Sequence, residues 1–271
     1  GSLGAALGFW YNELKKERQV KTNDMMKGSY LGPKYTNEFV EKELTLLGAK
    51  FTQMKETEII VNTANALNNQ KTVGWFQGRM EFGPRALGGR SILADPRSTK
   101  MQKELNLKVK FRESFRPFAP SILSEEVGNW FELDVVSPYM LLVTNIKKEI
   151  QIPMTTEQKN LFGIDKLNIK RSKIPAVTHV DYSSRVQTVH KETNSRYYQL
   201  IKKFNEITSC PILVNTSFNI RGEPIVCSVE DAFRCFMGTN LDMLVIEDYI
   251  LHKSDQNQLL KEDYKKKFKL D

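Results

Sequence analysis

Residues 74–97 read GWFQGRMEFGPRALGGRSILADPR, and no other stretch limits the fold and chemistry of this chain so tightly. Residues 72–76 have the β-branched and aromatic make-up of a buried strand, which stops at Gln77 and Gly78. Gly83-Pro84 and Gly88-Gly89 follow, and glycine and proline at that density mark a tight loop, not a strand or a long helix. Arg79, Arg85 and Arg90 are set into this loop, with Arg97 just beyond it. Phe82, Pro84, Leu87 and Ile92 surround them, a setting that would hold guanidinium groups in fixed positions. The pattern reads as an anion cradle. Arginine offers a planar fork of donors to phosphate or carboxylate oxygens, and glycine lets backbone N–H groups approach the same anion. The simpler alternative is that these arginines face solvent or pair with Glu81 and Asp95.

A second basic stretch, KVKFRESFRPFAP at 108–120, again sets cations between aromatics and prolines. From Arg79 to Arg116 there are ten Lys and Arg against four Asp and Glu, an excess of six in a chain whose net charge is +8. Concentrated charge of this kind calls for an anionic partner bound locally. Two common phosphate-binding devices are excluded. Gly88-Gly89-Arg90-Ser91 lacks the lysine of a Walker loop, and no G-x-G-x-x-G opens a long helix.

The other polar cluster follows an apolar run at 212–214. Asn215, Thr216, Ser217 and Asn219 end that run, and Arg221-Gly222-Glu223-Pro224 succeeds it. Small hydrogen-bonding side chains at a strand end lie where α/β folds tend to hold ligands. They would suit ribose, phosphate or an amide, or they form an ordinary turn in which Asn and Ser bond their own backbone.

Four blocks in order, EFGPRALGGRSILADPR, VKFRESFRPFAPS, SRVQTV and NTSFNIRGEPIV, make the chain resemble the C-terminal domain of the O-carbamoyltransferases that modify natural products and nodulation factors. The resemblance covers about residues 30–250. It implies a YrdC-like α/β domain with a twisted mixed sheet and flanking helices, preceded by a helical connector. The implied task is to make carbamoyl-adenylate from carbamoyl phosphate and ATP, with Mg2+ accompanying the ATP. A separate actin-fold domain, which carries the family's metal, would then pass the carbamoyl group to a hydroxyl of a small acceptor molecule. Carried over residue by residue, the resemblance makes Arg85, Lys110 and Arg116 the catalytic cations, with Arg185 beside them on the phosphates. Asn215, Ser217 and Asn219 would orient the ligands. Arg79, Arg90 and Arg221 form a second binding set that also organises the loops.

The same resemblance divides the chain. Residues 1–20, with the small apolar run LGAALG, match the closing helix of the actin-fold domain, so the chain is expected to begin at the tail of a missing partner. Residues 21–56 form the connector, 57–253 the YrdC-like domain and 254–271 a charged tail. The first ten residues lack a positive n-region and are followed at once by Lys15, Lys16 and Arg18, so they read as neither signal peptide nor membrane span.

Periodicity and breakers supply the remaining elements. Helices are expected at 36–47 with Thr36 as N-cap, at 59–67, 98–107, 125–131, 197–208 and 229–237. Strands are expected at 118–123, 138–146 as core, 176–180, 185–190, 212–214 and 243–246. The weakly periodic 147–173 segment reads as a surface excursion. Alternation of helices and strands predicts an α/β domain.

Cys210, Cys227 and Cys235, with His179, His190 and His252, show no metal-ligand spacing. Cys210 and Cys235 fall in apolar surroundings, and an odd cysteine count without a secretion signal fits a reducing cytoplasm. His179 and Asp181 could polarise a water or make a structural hydrogen bond. Two other readings stay open: a basic nucleic-acid-binding module of YrdC type, disfavoured because the cations lie in tight Gly/Pro loops and exposed stacking aromatics are not evident, and a threonylcarbamoyl-adenylate synthase.

Overall fold

The computed structural model describes residues 1–19 and 24–260. The charged tail expected at 254–271 therefore lies largely outside the described residues, as do the first three residues of the expected connector. In chain order the helices are α1 (Ser2–Gly8), α2 (Asn37–Leu46), α3 (Glu56–Asn68), α4 (Met101–Glu104), α5 (Val127–Trp130), α6 (Thr156–Lys159), α7 (Gly163–Leu167), α8 (Ser195–Thr208) and α9 (Val229–Gly238). The strands are β1 (Thr52–Gln53), β2 (Val73–Phe76), β3 (Arg90–Ala94), β4 (Ala119–Leu123), β5 (Val143–Asn145), β6 (Ser183–Arg185), β7 (Gln187–Val189), β8 (Ile212–Ser217), β9 (Met243–Ile246) and β10 (Tyr249–His252).

Eight strands form one mixed sheet in the order β1-β10-β9-β2-β3-β8-β4-β7, and β5 pairs with β6 in a separate ribbon. The β2–β9 and β4–β7 pairs are parallel and the other pairs antiparallel. Strands β2, β3, β4 and β9 are buried at every residue, which is why β2 and β9 show no alternation of polar and apolar positions. This is the mixed α/β architecture anticipated from the sequence.

Helix α8 buries Tyr197, Leu200, Ile201 and Phe204, a stripe at helical spacing, and packs beside α3. The Asn194 side chain caps it by accepting the Tyr197 N–H at 3.1 Å. Helix α9 begins with a capping box. Ser228 Oγ accepts the Asp231 N–H at 3.1 Å, and Asp231 Oδ2 accepts the Ser228 N–H at 2.9 Å. Thr36 caps α2 as expected, accepting the Phe39 N–H at 3.3 Å.

Several expectations change. Arg90, placed in the loop by its glycine neighbours, begins β3 and is completely buried. The run at 138–146 is core only at Met140 and Ile146: Leu141 is 71% and Val143 62% exposed, and only β5 forms within it, paired with β6 alone. Residues 176–180 are not a strand, since a 3-10 turn covers Pro175–Val177. The strand expected at 185–190 is two strands that join different sheets on either side of Val186. The helix expected at 98–107 starts at Met101 and continues as a π-helical turn over Leu105–Val109, which delivers Lys110 at its end. At the N-terminus α1 continues as a π turn over Phe9–Glu13 and buries none of its side chains. Residues 52–53, within the expected connector, are an edge strand of the main sheet.

Candidate active site

Strand β8 and the two turns beyond it organise the site. Lys110 is 3% exposed, and its Nζ donates to Ser217 O (2.8 Å), Ser217 Oγ (3.2 Å), Asn219 O (2.7 Å) and Asn219 Oδ1 (2.6 Å). Burial pushes the Lys110 pKa down to about 7, and the neighbouring Arg112 adds to the shift. Ser217 Oγ in turn donates to Asn219 Oδ1 at 2.6 Å, and Asn219 Nδ2 donates to Glu223 O at 2.6 Å. The Arg221 N–H donates to Lys110 O at 3.1 Å, so the two segments are joined through backbone as well. The basic stretch at 108–120 and the β8 turn, about a hundred residues apart, thus form one polar unit.

Glu113 bridges two further arginines of this unit, accepting from Arg116 Nε at 2.9 Å and from Arg221 Nη1 at 3.1 Å. Arg112 lies above the Phe118 ring at 5.0 Å and donates through Nε to Asn106 Oδ1 at 2.6 Å. Burial, and after it Arg116, push the Arg112 guanidinium down to about 10, with Glu113 opposing. Arg112, Glu113 and Asn106 are the residues that sequence reasoning missed. Arg112 lies inside the basic stretch, between Lys110 and Arg116, and that position was the available signal.

On the same face of β8 as Ser217, two residues back, lies Asn215. It is 1% exposed, and its Nδ2 donates to Gln187 Oε1 (2.8 Å), Ser121 Oγ (3.0 Å) and Ala86 O (3.2 Å), while its Oδ1 is buried without a partner. This network ties the 79–90 loop to β7. It brings Arg85, next to Ala86, close to Arg185, two residues before Gln187. Burial, and after it Arg85, hold the Arg185 guanidinium below its usual pKa. Neither Arg85 nor Arg185 forms an ion pair among the described residues. Two guanidinium groups whose charges act on each other, neither in an ion pair, raise the local potential and favour an incoming anion.

The loop beneath Arg85 differs from the expected cradle. Its backbone donors are already occupied by a carboxylate of the protein: Glu81 Oε1 accepts from Leu87 N (2.6 Å), Gly89 N (2.7 Å) and Arg90 N (3.3 Å). Leu87 O accepts from Tyr30 Oη (2.8 Å) and Gln187 Nε2 (2.7 Å), and Gly88 O accepts from Trp75 Nε1 (3.0 Å). Gly88 has φ +108°, and a Cβ there would stand 2.3 Å from the Tyr197 ring, so only glycine fits.

Arg90 supports this loop from inside. Its Nη1 donates to the carbonyls of Gln77, Gly78 and Gly89, its Nη2 to that of Pro33, and it stacks on Phe76 at 3.5 Å. The guanidinium is thus committed to backbone, which assigns Arg90 to holding the loop. Arg79 is exposed, donates to Gly32 O at 3.0 Å and lines a different cleft, of about 980 Å³, with Lys34, Arg196, Glu247 and Asp248. The structure thus gathers Lys110, Arg116, Arg221, Ser217 and Asn219, links them through Asn215 to Arg85 and Arg185, and leaves Arg79 and Arg90 outside. His179 and Asp181 both bond Ser183. His179 Nδ1 lies 3.2 Å from its Oγ, and Asp181 Oδ1 accepts its N–H at 3.0 Å.

The chain belongs to the carbamoyltransferase C-terminus family, whose model matches residues 64–253. Among curated relatives, the uncharacterized protein sll1178 of Synechocystis is 55% identical over 100% of this chain. Nodulation protein NolO of Bradyrhizobium diazoefficiens is 41% identical over 83% of it, and the 3'-hydroxymethylcephem-O-carbamoyltransferase of Streptomyces clavuligerus 34% over 68%. The chain spans 45%, 38% and 31% of these relatives, less than half of each. A crystal structure of full-length HypF in the phosphate- and nucleotide-bound form aligns over 74% of this chain and 22% of its own, with TM-score 0.43 and 19% identity. No helix among the described residues is long and apolar enough to cross a membrane.

Proposed function

We propose that this chain is the carbamoyl-adenylate-forming part of an O-carbamoyltransferase. It would bind carbamoyl phosphate and ATP, the latter with Mg2+, and supply the adenylate to an actin-fold domain that transfers the carbamoyl group to a hydroxyl of a small acceptor in the cytoplasm. The observation that supports this reading is the set of cations around the end of β8, above all Arg85 and Arg185, whose charges act on each other and neither of which forms an ion pair among the described residues.

The chemistry places a demand on such a site. A carbamate oxygen, available once carbamoyl phosphate has lost its phosphate to water, attacks the α-phosphorus of ATP. The bond from that phosphorus to the pyrophosphate oxygen breaks, and pyrophosphate leaves with the electron pair. Attacking and leaving groups are both anionic, so fixed positive charge lowers the barrier by stabilising the charge that moves onto the leaving group. Lys110 is bonded to Ser217 and Asn219, and Arg85 and Arg185 adjoin the residues that Asn215 ties together, so more than one cation is available for phosphorylated ligands. No nucleophilic side chain is required. Ser217 and Asn219, already bonded to Lys110, would fix its position.

The test is carbamoyl-phosphate-dependent exchange of pyrophosphate into ATP. Arg85 is exposed, so Arg85→Ala should fold normally yet lose exchange by about 10²–10³-fold, the usual cost of removing one oxyanion donor. Exchange near the wild-type rate in a folded R85A protein would remove Arg85 from the site.

A further inference from the structure

Residues 111–118, between Lys110 and β4, carry Arg112, Glu113 and Arg116 and contain neither helix nor strand. Without ladder bonds of its own, such a segment takes its shape from partners elsewhere in the chain. Phe111 turns the chain away from the preceding helix at φ +49°, a conformation that a bulky residue adopts only when its surroundings impose it.

The main partner is Asn106, which is completely buried. In a regular α-helix the Asn106 carbonyl would accept the Lys110 N–H. The π-helical turn over Leu105–Val109 sends that N–H to Leu105 O instead, at 2.8 Å, and leaves Asn106 O to accept the Arg112 N–H at 3.0 Å. The side chain completes the hold. Its Nδ2 donates to Arg116 O at 2.8 Å and to Ser114 O at 3.1 Å, and its Oδ1 accepts from Arg112 Nε at 2.6 Å. Gln102, four residues earlier, donates through Nε2 to Phe115 O and Arg116 O, both at 3.3 Å. Two amides thus collect the carbonyls of three consecutive residues.

Packing alone does not account for an asparagine at this position. An apolar side chain would fill the volume at a lower desolvation cost, yet the hydrogen bonds of the Asn106 side chain go to Arg112, Ser114 and Arg116. Arg112 forms no ion pair among the described residues, so Asn106 Oδ1 and the Phe118 ring orient its guanidinium.

We infer that Asn106, assisted by Gln102, is a positioning residue: it holds segment 112–116 in the shape that presents the Arg112 and Arg116 guanidinium groups before an anion arrives. It acts on the ligand only through this segment. The inference rests on the reading above, that the cations around β8 receive phosphorylated ligands, and adds what keeps two of those cations in place.

The test compares wild type with Asn106→Ser and Gln102→Ala by thermal melting, by calorimetric binding of inorganic pyrophosphate, and by KM and kcat of carbamoyl-phosphate-dependent pyrophosphate exchange per folded molecule. Serine leaves room for water to satisfy the Ser114 and Arg116 carbonyls, so N106S should fold while the fixed geometry is lost. The ligand must then order two guanidinium groups itself, so pyrophosphate Kd should rise about tenfold and exchange kcat/KM fall about 10²-fold, with kcat lowered as well as KM raised. Q102A, whose bonds are longer, should weaken pyrophosphate about threefold. A lower Tm in N106S, with Kd, KM and kcat within about twofold of wild type, would make Asn106 a structural amide only; that overturns the inference and leaves the proposed function standing. Should N106S not fold, Q102A decides, and an unchanged pyrophosphate Kd there overturns the inference. Wild-type protein that neither binds pyrophosphate nor supports exchange would bring down the proposed function itself, and this inference with it.

Discussion

Glu81→Ala is expected to lower the unfolding free energy by about 3–5 kcal/mol, because it strips the partner from several buried donors at once. Glu81 is 5% exposed, and one of its oxygens accepts the N–H groups of Leu87, Gly89 and Arg90. Alanine leaves those donors in a space closed off by Tyr30, Trp75 and Tyr197, and it removes the stronger of the two carboxylates, Glu81 and Glu247, that offset burial of the Arg90 guanidinium. Each unsatisfied buried donor costs about 1–3 kcal/mol, and three donors are involved before the lost charge is considered. For a chain of this size a loss of that order should lower Tm by about 10 °C. Glu81→Gln keeps an acceptor oxygen but not the charge, and should fall between the two. Calorimetric melting of the three proteins reads this directly; an E81A melt within about 2 °C of wild type would show that the loop holds its shape by other means.

The largest loss of activity is expected from Lys110→Met. The substitution keeps much of the side-chain volume but removes the ammonium group that binds Ser217 and Asn219, so pyrophosphate exchange should fall at least 10²-fold per folded molecule. Circular dichroism establishes the folded fraction, and K110M exchange within tenfold of wild type would exclude the lysine from the chemistry. The pH dependence follows from the direction of the shift. A lysine with an unfolded value of 10.5 and a folded value of about 7 binds more protons when unfolded, so it makes stability fall as pH drops from about 10.5 towards 7 and level off below. An anion arriving at the site favours the charged form. Binding should therefore take up a proton near and above pH 7, and wild-type affinity for carbamoyl phosphate should weaken as pH rises through that range. K110M should lack both the proton uptake and this slope, as titrations in buffers of different ionisation enthalpy would show.

The parts of the fold legible in the sequence are those whose signal is local. Helical spacing in 197–208 announces α8, though the face read from sequence, Tyr198, Ile201, Phe204 and Ile207, is rotated from the buried Tyr197, Leu200, Ile201 and Phe204, and the apolar runs of β2, β8 and β9 announce central strands. β3 was hidden because its first residue is an arginine after two glycines. The carbonyls of Gln77, Gly78, Gly89 and Pro33, the ring of Phe76 and the charges of Glu81 and Glu247 offset burial of that guanidinium, and the fold-back that gathers them is not visible from Arg90 itself. The run at 138–146 misled for the opposite reason. It has the composition of core, but its strand joins a two-stranded ribbon and leaves Leu141 and Val143 in solvent. In the site, the family resemblance singled out Lys110, Ser217 and Asn219, but the direct bonds among them are encoded by no local spacing. The occupation of the glycine loop by Glu81 depends on a fold-back that periodicity does not encode.

That internal carboxylate bears on how binding is driven. Because Glu81 already engages the backbone donors of the loop, the segment behind Arg85 is held in place before any substrate arrives. Little backbone entropy is then left to lose on binding, and the ordering cost is confined to the exposed Arg85 side chain and the ligand, at about 0.5–1.5 kcal/mol for such a side chain. Association should accordingly proceed as docking onto a rigid rim, with heat-capacity changes set by the ligand's own desolvation and without the slow phase that loop closure would add.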